Sequence, residues 1–291
     1  HFRCEGENEC YEKVRKLLDY IPHYYGDELV QAAKYHFDEK KKAKHIETIL
    51  PENTRKGYDI REVINDVTDD DSFFETSAEF AINCVTGFAK IEGRSVGIVA
   101  NNPGGMGGVL DCDASDKIAR HVRYCDAFNI PLVTFVDVPG FIPGPQEEQK
   151  GIIRHGAKVI YAYSEASVPK ISVITRKAYG GAYIAMCSKH IGADFVYAWP
   201  ASEIAVMGAE GAVGILYAKE LADPEKAAEV AAKEQAYREE IMTPAIAAKR
   251  GYVTEVIEPS ATRRHIAESL SFLADKKSMD NPLKKHGNIP L

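Results

Sequence analysis

Short apolar runs alternate with single amphipathic helical segments along most of the chain, and this alternation constrains the fold more than any other feature. The runs IPLVTFVDVPG (130–140) and VPKISVIT (168–175) are nearly continuous in apolar residues, as is typical of buried strands. Strands separated by single helices form right-handed βαβ crossovers and a mostly parallel sheet. The sequence therefore predicts an α/β protein, and 291 residues are enough for a large buried core.

Two helices carry signals at their ends or along one face. The segment DASDKIARHVRYCDAF (113–128) begins with Asp113, which we expect to be the N-cap of its helix. The segment EEQKGIIRHGAKVIYAYSEA (147–166) predicts one continuous helix. Its expected buried stripe consists of Ile153, Ala157 and Ile160.

Charge and composition exclude several functions. The net charge is −7, and the most basic run, EKKKAK (39–44), is balanced by nearby acids, so no nucleic-acid partner is predicted. No HExxH or paired histidine spacing occurs, and we predict no metal site. The six cysteines form no CxxC and are expected to be free thiols in a reducing compartment. No signal peptide or apolar stretch of about 18 residues is present, which favours a cytoplasmic or, in a eukaryote, mitochondrial-matrix protein. The chain begins with His rather than Met, so it is expected to be part of something longer.

The glycine-rich segment NNPGGMGGVLD (101–111) follows a predicted strand. If Gly105 and Gly107 opened a dinucleotide fingerprint, a third glycine would stand at position 110, where the chain has Leu110. We therefore expect a structural or substrate-lining loop, and its many glycines favour flexibility.

A second glycine cluster lies in RKAYGGAYIAM (176–186), where a predicted strand turns into a helix. No GxSxG and no reactive side chain stands at the turn. A helix N-terminus presents unpaired N–H groups, and glycines allow a ligand to approach the backbone closely. Two such donors can stabilise a developing enolate or oxyanion. The alternative is a tight turn that serves packing alone.

Three stretches carry a resemblance to a known family. They are YCDAFNIPLVTFVDVPGFIPG (124–144), the text from GIIRHGAKVIYAY to GAEGAVGILY (151–217), and KKHGNIPL (284–291). They closely resemble the C-terminal half of biotin-dependent acyl-CoA carboxyltransferases, which include the propionyl-CoA carboxylase β subunit and the carboxyltransferase subunits of methylmalonyl-CoA decarboxylase and transcarboxylase. The resemblance implies a crotonase-like ββα superhelix. It also implies that residues 1–45 link this chain to a missing N-terminal half and that residues 46–291 form the carboxybiotin-side domain.

The same resemblance implies the catalytic groups. The N–H groups of Gly181 and Ala182 match the oxyanion hole for the ureido carbonyl of biotin. In this family biotin is its own base, so no side-chain base is required.

Binding roles follow for five further residues. Gly180 belongs to the biotin-binding turn, and Pro139, Gly140 and Phe141 wall the biotin pocket. Ile184 matches a position that lines the acyl pocket, where many propionyl-type members carry Asp, so its acyl preference is expected to differ.

The implied partners are acyl-CoA, the N-terminal half and a biotin carrier domain, because no AMKM-type attachment site occurs here. A homo-oligomer, a dimer or a trimer of dimers, is also implied. Carboxylase, transcarboxylase and decarboxylase remain open, and a decarboxylase would be peripheral to a membrane complex. Two other hypotheses remain: a stand-alone crotonase-like hydratase or hydrolase, and a non-catalytic assembly module.

Overall fold

The computed structural model describes residues 1–24, 26–27, 29, 31–32, 34–276 and 287–290. The strands of its sheet are β1 (Phe74–Thr76), β2 (Cys84–Ile91), β3 (Arg94–Asn101), β4 (Leu132–Val138), β5 (Lys170–Tyr179), β6 (Phe195–Ala198), β7 (Glu203–Ala205) and β8 (Glu255–Val256). The α-helices are α1 (Glu7–Leu18), α2 (Glu39–Ile49), α3 (Ile60–Val67), α4 (Cys112–Ala127), α5 (Pro145–Lys150), α6 (Ile152–Glu165), α7 (Gly180–Ala185), α8 (Ala209–Leu216), α9 (Ala218–Leu221), α10 (Ala227–Ile241), α11 (Pro244–Lys249) and α12 (Thr262–Phe272).

The sheet has the order β1-β2-β3-β4-β5-β6-β8, with β7 pairing the far end of β5. The first three strands are antiparallel, and every pair from β3 onward is parallel. An antiparallel hairpin followed by parallel crossovers confirms the predicted α/β class. The carboxyl ends of β3, β4 and β5 therefore meet at one edge of the sheet.

The core consists of two apolar layers on opposite faces of the sheet. Along β4, Leu132 and Val136 belong to the layer under α4 and α6, whereas Val133 and Phe135 belong to the layer under α3 and α12. This period of two is the normal alternation of a strand, and both sides are apolar because both faces are covered by helices. Strand β4 is consequently buried along its whole length.

The prediction of a single helix over 147–166 is wrong. Gly151 adopts a left-handed conformation (φ +90°) and separates α5 from α6. The expected buried stripe is also wrong, because Ile153 is 85% exposed. The buried face of α6 is instead formed by Ile152, Gly156, Val159, Ala162 and Tyr163.

The helix at 112–127 begins two residues earlier than expected. The side chain of Asp111, not Asp113, accepts a hydrogen bond from the N–H of Ala114 (2.8 Å) and caps α4. Asp113 lies inside the first turn, where a negative charge still suits the helix dipole.

The N-terminal residues pack onto the sheet at several points. Tyr20 is buried and stacks near Phe74, and Ile46 of α2 is buried in the layer that contains α3. The predicted division between residues 45 and 46 falls inside α2, and it stays a prediction. Among the described residues, every helix is too short or too polar to cross a bilayer.

Candidate active site

The predicted site residues come together at the carboxyl edge of two neighbouring strands. Val138 of β4 pairs with Ala178 of β5. The residues that follow them, Pro139–Phe141 and Gly180–Ile184, therefore leave the sheet side by side. Helix α7 packs against β4 and α6 at this edge, which is where open α/β sheets bind ligands.

The fold requires glycine at only one of the two positions of the turn. Gly180 has φ +58°, and a Cβ there would lie 2.8 Å from the carbonyl oxygen of Val206. The fold therefore requires glycine at position 180. Gly181 has no positive φ, it is exposed, and a Cβ there would meet nothing within 4 Å. Nothing in the described residues requires glycine at position 181, so its missing side chain leaves open space in front of the backbone.

The donors of the turn belong to the first turn of α7. The first N–H groups of a helix have no carbonyl one turn earlier to bind, and α7 has no side-chain cap. The N–H groups of Gly181 and Ala182 are therefore available to a ligand. Ala182 is 1% exposed, because its methyl group packs into the core.

The turn is held in place by the residue before it. The hydroxyl of Tyr179 donates to the carboxylate of Glu203 in β7, and Arg238 of α10 donates to the same carboxylate at 2.6 Å. Burial, and then the bond to Glu203, raise the pKa of Tyr179 well above its usual value. Tyr179 is thus a neutral donor that anchors the turn to β7.

A buried ion pair joins β4 and β5 shortly before the turn, and no sequence motif singles it out. Nε of Arg176 donates to Oδ2 of Asp137 at 2.9 Å, and both side chains are almost fully buried. Burial raises the pKa of the Asp137 carboxyl, and the Arg176 guanidinium opposes that rise. The available signal was a charged residue inside each of two apolar strands, since a buried charge needs a partner.

The loop 101–111 pairs with the segment that follows β4. Leu110 donates its N–H to the carbonyl of Gly140 (3.1 Å), and its own carbonyl accepts from Ile142 (2.8 Å). The ring of Phe141 packs against Gly156 of α6, where a Cβ would lie 2.9 Å from the ring. The loop is closely packed at Gly105, where a Cβ would lie 2.5 Å from the carbonyl oxygen of Ile82. Its flexibility stays a prediction.

One exposed apolar residue contacts the glycine turn, and three others lie on α6 and α8. Val206, whose carbonyl contacts Gly180, is 77% exposed, and Ile215 and Leu216 of α8 are 69% and 64% exposed. Ile153, at the start of α6, is 85% exposed. We name these four residues the exposed apolar patch.

Other candidate groups are already engaged. His121 is buried, and its Nε2 lies 3.6 Å from Sγ of Cys125. Burial lowers the pKa of His121 to about 4 and raises that of Cys125, so both groups are neutral at pH 7. His155 binds Asp116 at 2.8 Å, and His190 lies against the ring of Tyr252.

The carboxylates nearest the turn are likewise occupied. Asp137 is paired with Arg176, and Glu203 is bound by Tyr179 and Arg238. Asp137 and Glu203 therefore do not form the facing pair of free carboxylates that a hydratase would need. Within the described part of the chain, all six cysteines are free thiols, and no three histidine, cysteine or carboxylate side chains are grouped to hold a metal ion.

The antiparallel hairpin, the parallel crossovers and the glycine turn at the carboxyl edge define a crotonase-like α/β fold of the carboxyltransferase type. The sequence matches the family described as Carboxyl transferase domain over residues 1–289, and the chain belongs to this family. The match includes the first 45 residues.

Known proteins of the family are close in sequence and structure. The propionyl-CoA carboxylase carboxyltransferase subunit of Haloferax mediterranei is 50% identical over 100% of this chain and 56% of its own length. Methylmalonyl-CoA decarboxylase subunit alpha of Veillonella parvula is 50% identical, with 100% and 55% covered. The crystal structure of transcarboxylase 12S, described as a hexamer with hydrolysed methylmalonyl-CoA bound, superposes with a TM-score of 0.92 at 49% identity, covering 100% and 56%. The chain thus spans about half the length of the relatives it matches and corresponds to their C-terminal half.

Proposed function

We propose that this chain is the biotin-side half of an acyl-CoA carboxyltransferase that acts on short-chain substrates of the propionyl-CoA or methylmalonyl-CoA type. One observation carries the proposal. Neither the backbone angles nor any neighbouring atom of the described residues requires glycine at position 181, although its own N–H group and that of Ala182 are left free by α7. A glycine of this kind is expected where a ligand approaches the backbone closely.

The turn fits the polar end of biotin carried by a partner domain. When bound, carboxybiotin would supply the carboxyl group and would carry the developing negative charge on its ureido oxygen. The N–H groups of Gly181 and Ala182 would donate to this oxygen, and each such donor is worth about 3 kcal/mol in comparable oxyanion holes. The donors are fixed in advance because Tyr179 and the packed methyl group of Ala182 hold the turn.

The neighbouring residues shape the pocket. Gly180 permits the left-handed turn that aims α7 at the ligand. Pro139, Gly140 and Phe141 form a wall beside the turn, and the Phe141 ring is held by α6. Ile184 lies partly buried in the same short helix, and its apolar side chain favours an apolar acyl group.

The surface proposed to bind the N-terminal half consists of exposed apolar side chains. Val206 of the exposed apolar patch contacts Gly180 of the turn, and large exposed apolar surfaces mark protein interfaces. We assign this patch to the N-terminal half, which would bring the acyl-CoA to the biotin side. The relative called transcarboxylase 12S is a hexamer, and a homo-oligomer is proposed for the complete enzyme here.

The test uses the complete enzyme, meaning this chain assembled with the N-terminal half. Ala182→Pro deletes one N–H in the first turn of α7, where no intrahelical bond is lost. We expect carboxyl transfer to fall at least 100-fold, with acyl-CoA binding nearly unchanged. Transfer at the wild-type rate would refute the oxyanion assignment.

A binding measurement separates the biotin site from the rest of the reaction. Biotin methyl ester is titrated into the complete enzyme and into its Ala182→Pro variant by ligand-observed NMR. Binding that weakens in the variant supports a biotin site at the turn. Equal binding to both proteins would contradict it.

A further inference from the structure

Two charged residues of the buried strands take no part in the proposed chemistry. Asp137 of β4 is 0% exposed and Arg176 of β5 is 5% exposed. A charge inside a sheet is unfavourable unless it is paired and fully hydrogen-bonded. Arg176 precedes Gly180 by four residues, and Asp137 lies on the neighbouring strand β4, so their contacts indicate a specific use.

The pair lies where β4 and β5 are out of regular register. Val136 pairs with Ile174, and the next pair is Val138 with Ala178, so Asp137 alone faces three residues of β5. The carboxylate fills this irregularity. Its Oδ1 accepts from the N–H of Lys177 at 3.1 Å, and its Oδ2 accepts from Nε of Arg176 at 2.9 Å.

Arg176 connects this bulge to a third segment. Its Nη1 donates to the carbonyl of Lys56 at 2.9 Å, and its guanidinium carbon lies 5.1 Å from the ring centre of Tyr58. The hydroxyl of Tyr58 in turn lies 2.9 Å from Oγ1 of Thr175. Asp137, Arg176 and Thr175 are thus each tied to another strand or loop.

We propose that Asp137 and Arg176 are positioning residues for carboxyl transfer. Their ion pair fixes the bulge in β5 and thereby sets the direction of the N–H groups of Gly181 and Ala182, a few residues further along the chain. Bulges beside active sites re-aim the residues that follow them, and a misplacement of about 1 Å can lower a rate about 100-fold. This inference rests on the proposed function.

A matched variant pair tests the inference in the complete enzyme. Asp137→Asn removes the charge that holds the bulge. The control is Asp69→Asn, because Asp69 is 4% exposed, accepts from the N–H groups of Glu92 and Gly93, and binds Arg263 at 2.6 Å at the β2–β3 hairpin. We expect Asp137→Asn to lower kcat at least tenfold with an unchanged KM for acyl-CoA, and Asp69→Asn to change kcat less than twofold. Equal kcat values in the two variants would overturn the inference.

Hydrogen exchange gives a readout that does not depend on activity. The amides of residues 177–183 should exchange at least tenfold faster in Asp137→Asn than in the wild type. In Asp69→Asn their exchange rates should equal those of the wild type. Unchanged exchange at 177–183 would overturn the positioning role even if no transfer were detected. Loss of the proposed function itself would appear separately, as a wild-type enzyme without transfer. If Asp137→Asn does not fold, Arg176→Lys serves as the second variant, because it keeps the positive charge of the pair. We expect it too to lower kcat and to speed amide exchange at residues 177–183.

Discussion

The two adjacent glycines of the turn offer a sharp test, because the same substitution should have opposite effects on stability at positions 180 and 181. Alanine at position 180 must adopt φ +58°, which costs about 1–2 kcal/mol for a residue with a Cβ. Its Cβ would also lie 2.8 Å from the Val206 carbonyl oxygen, so backbone must shift, at a further cost of about 1–2 kcal/mol. We therefore expect Gly180→Ala to destabilise the fold by about 2–4 kcal/mol.

Gly181→Ala should not destabilise the fold. The added methyl group meets no atom within 4 Å, and alanine is favoured over glycine in a helix by about 0.5–1 kcal/mol. The same methyl group would enter the space that we assign to biotin. Carboxyl transfer in the complete enzyme should therefore fall at least about 100-fold, comparable to the loss of an oxyanion-hole donor.

Urea unfolding followed by tryptophan fluorescence measures the first effect, because the single tryptophan, Trp199, is fully buried. A carboxyl-transfer assay well below the unfolding transition measures the second. If Gly181→Ala transferred at the wild-type rate, the open space at position 181 would not be ligand space. If Gly181→Ala unfolded as readily as Gly180→Ala, the structural distinction between the two glycines would be refuted.

Three further predictions concern stability. Asp111→Ala should lower the free energy of unfolding, measured in urea, by about 1 kcal/mol because it removes the N-cap of α4. Asp113→Ala should change it by less than about 0.5 kcal/mol. Equal losses in the two variants would contradict the assignment of Asp111 as the cap. Ile152→Ala should lower the free energy of unfolding by about 2–4 kcal/mol and Ile153→Ala by less than about 0.5 kcal/mol, because only Ile152 is buried. A larger loss for Ile153→Ala would mean that the face of α6 containing Ile153 is the buried one. His121 has a pKa of about 4 in the folded chain and about 6.5 in the unfolded chain. Between these pH values the imidazole is protonated in the unfolded chain and neutral in the folded one. The folded state therefore has its full stability above about pH 6.5 and loses about 3 kcal/mol as the pH falls to 4. His121→Gln should remove that part of the pH dependence of the urea midpoint, and an unchanged slope would argue against a buried neutral imidazole.

The local pattern of the chain was sufficient for the fold class and for most elements. The apolar runs at 130–140 and 168–175 became β4 and β5, because a strand covered by helices on both faces must be apolar on both sides. The buried positions Ile118, Val122 and Cys125 of α4 follow from helical periodicity alone. The failures concerned helix boundaries and the buried face of α6. Gly151 could continue or break a helix, and in the folded chain it adopts φ +90° and ends α5.

The sequence by itself determined an α/β protein, a glycine turn between a strand and a helix, and membership of the carboxyltransferase family. It could not distinguish Gly180 from Gly181, because that difference depends on the Val206 carbonyl, which is distant in the chain. Nor could it pair Asp137 with Arg176, 39 residues apart, since the pairing depends on the register of β4 and β5. Periodicity and local propensity act over a few residues, whereas the direction of the turn's N–H groups is set by contacts between strands that only the folded sheet brings together.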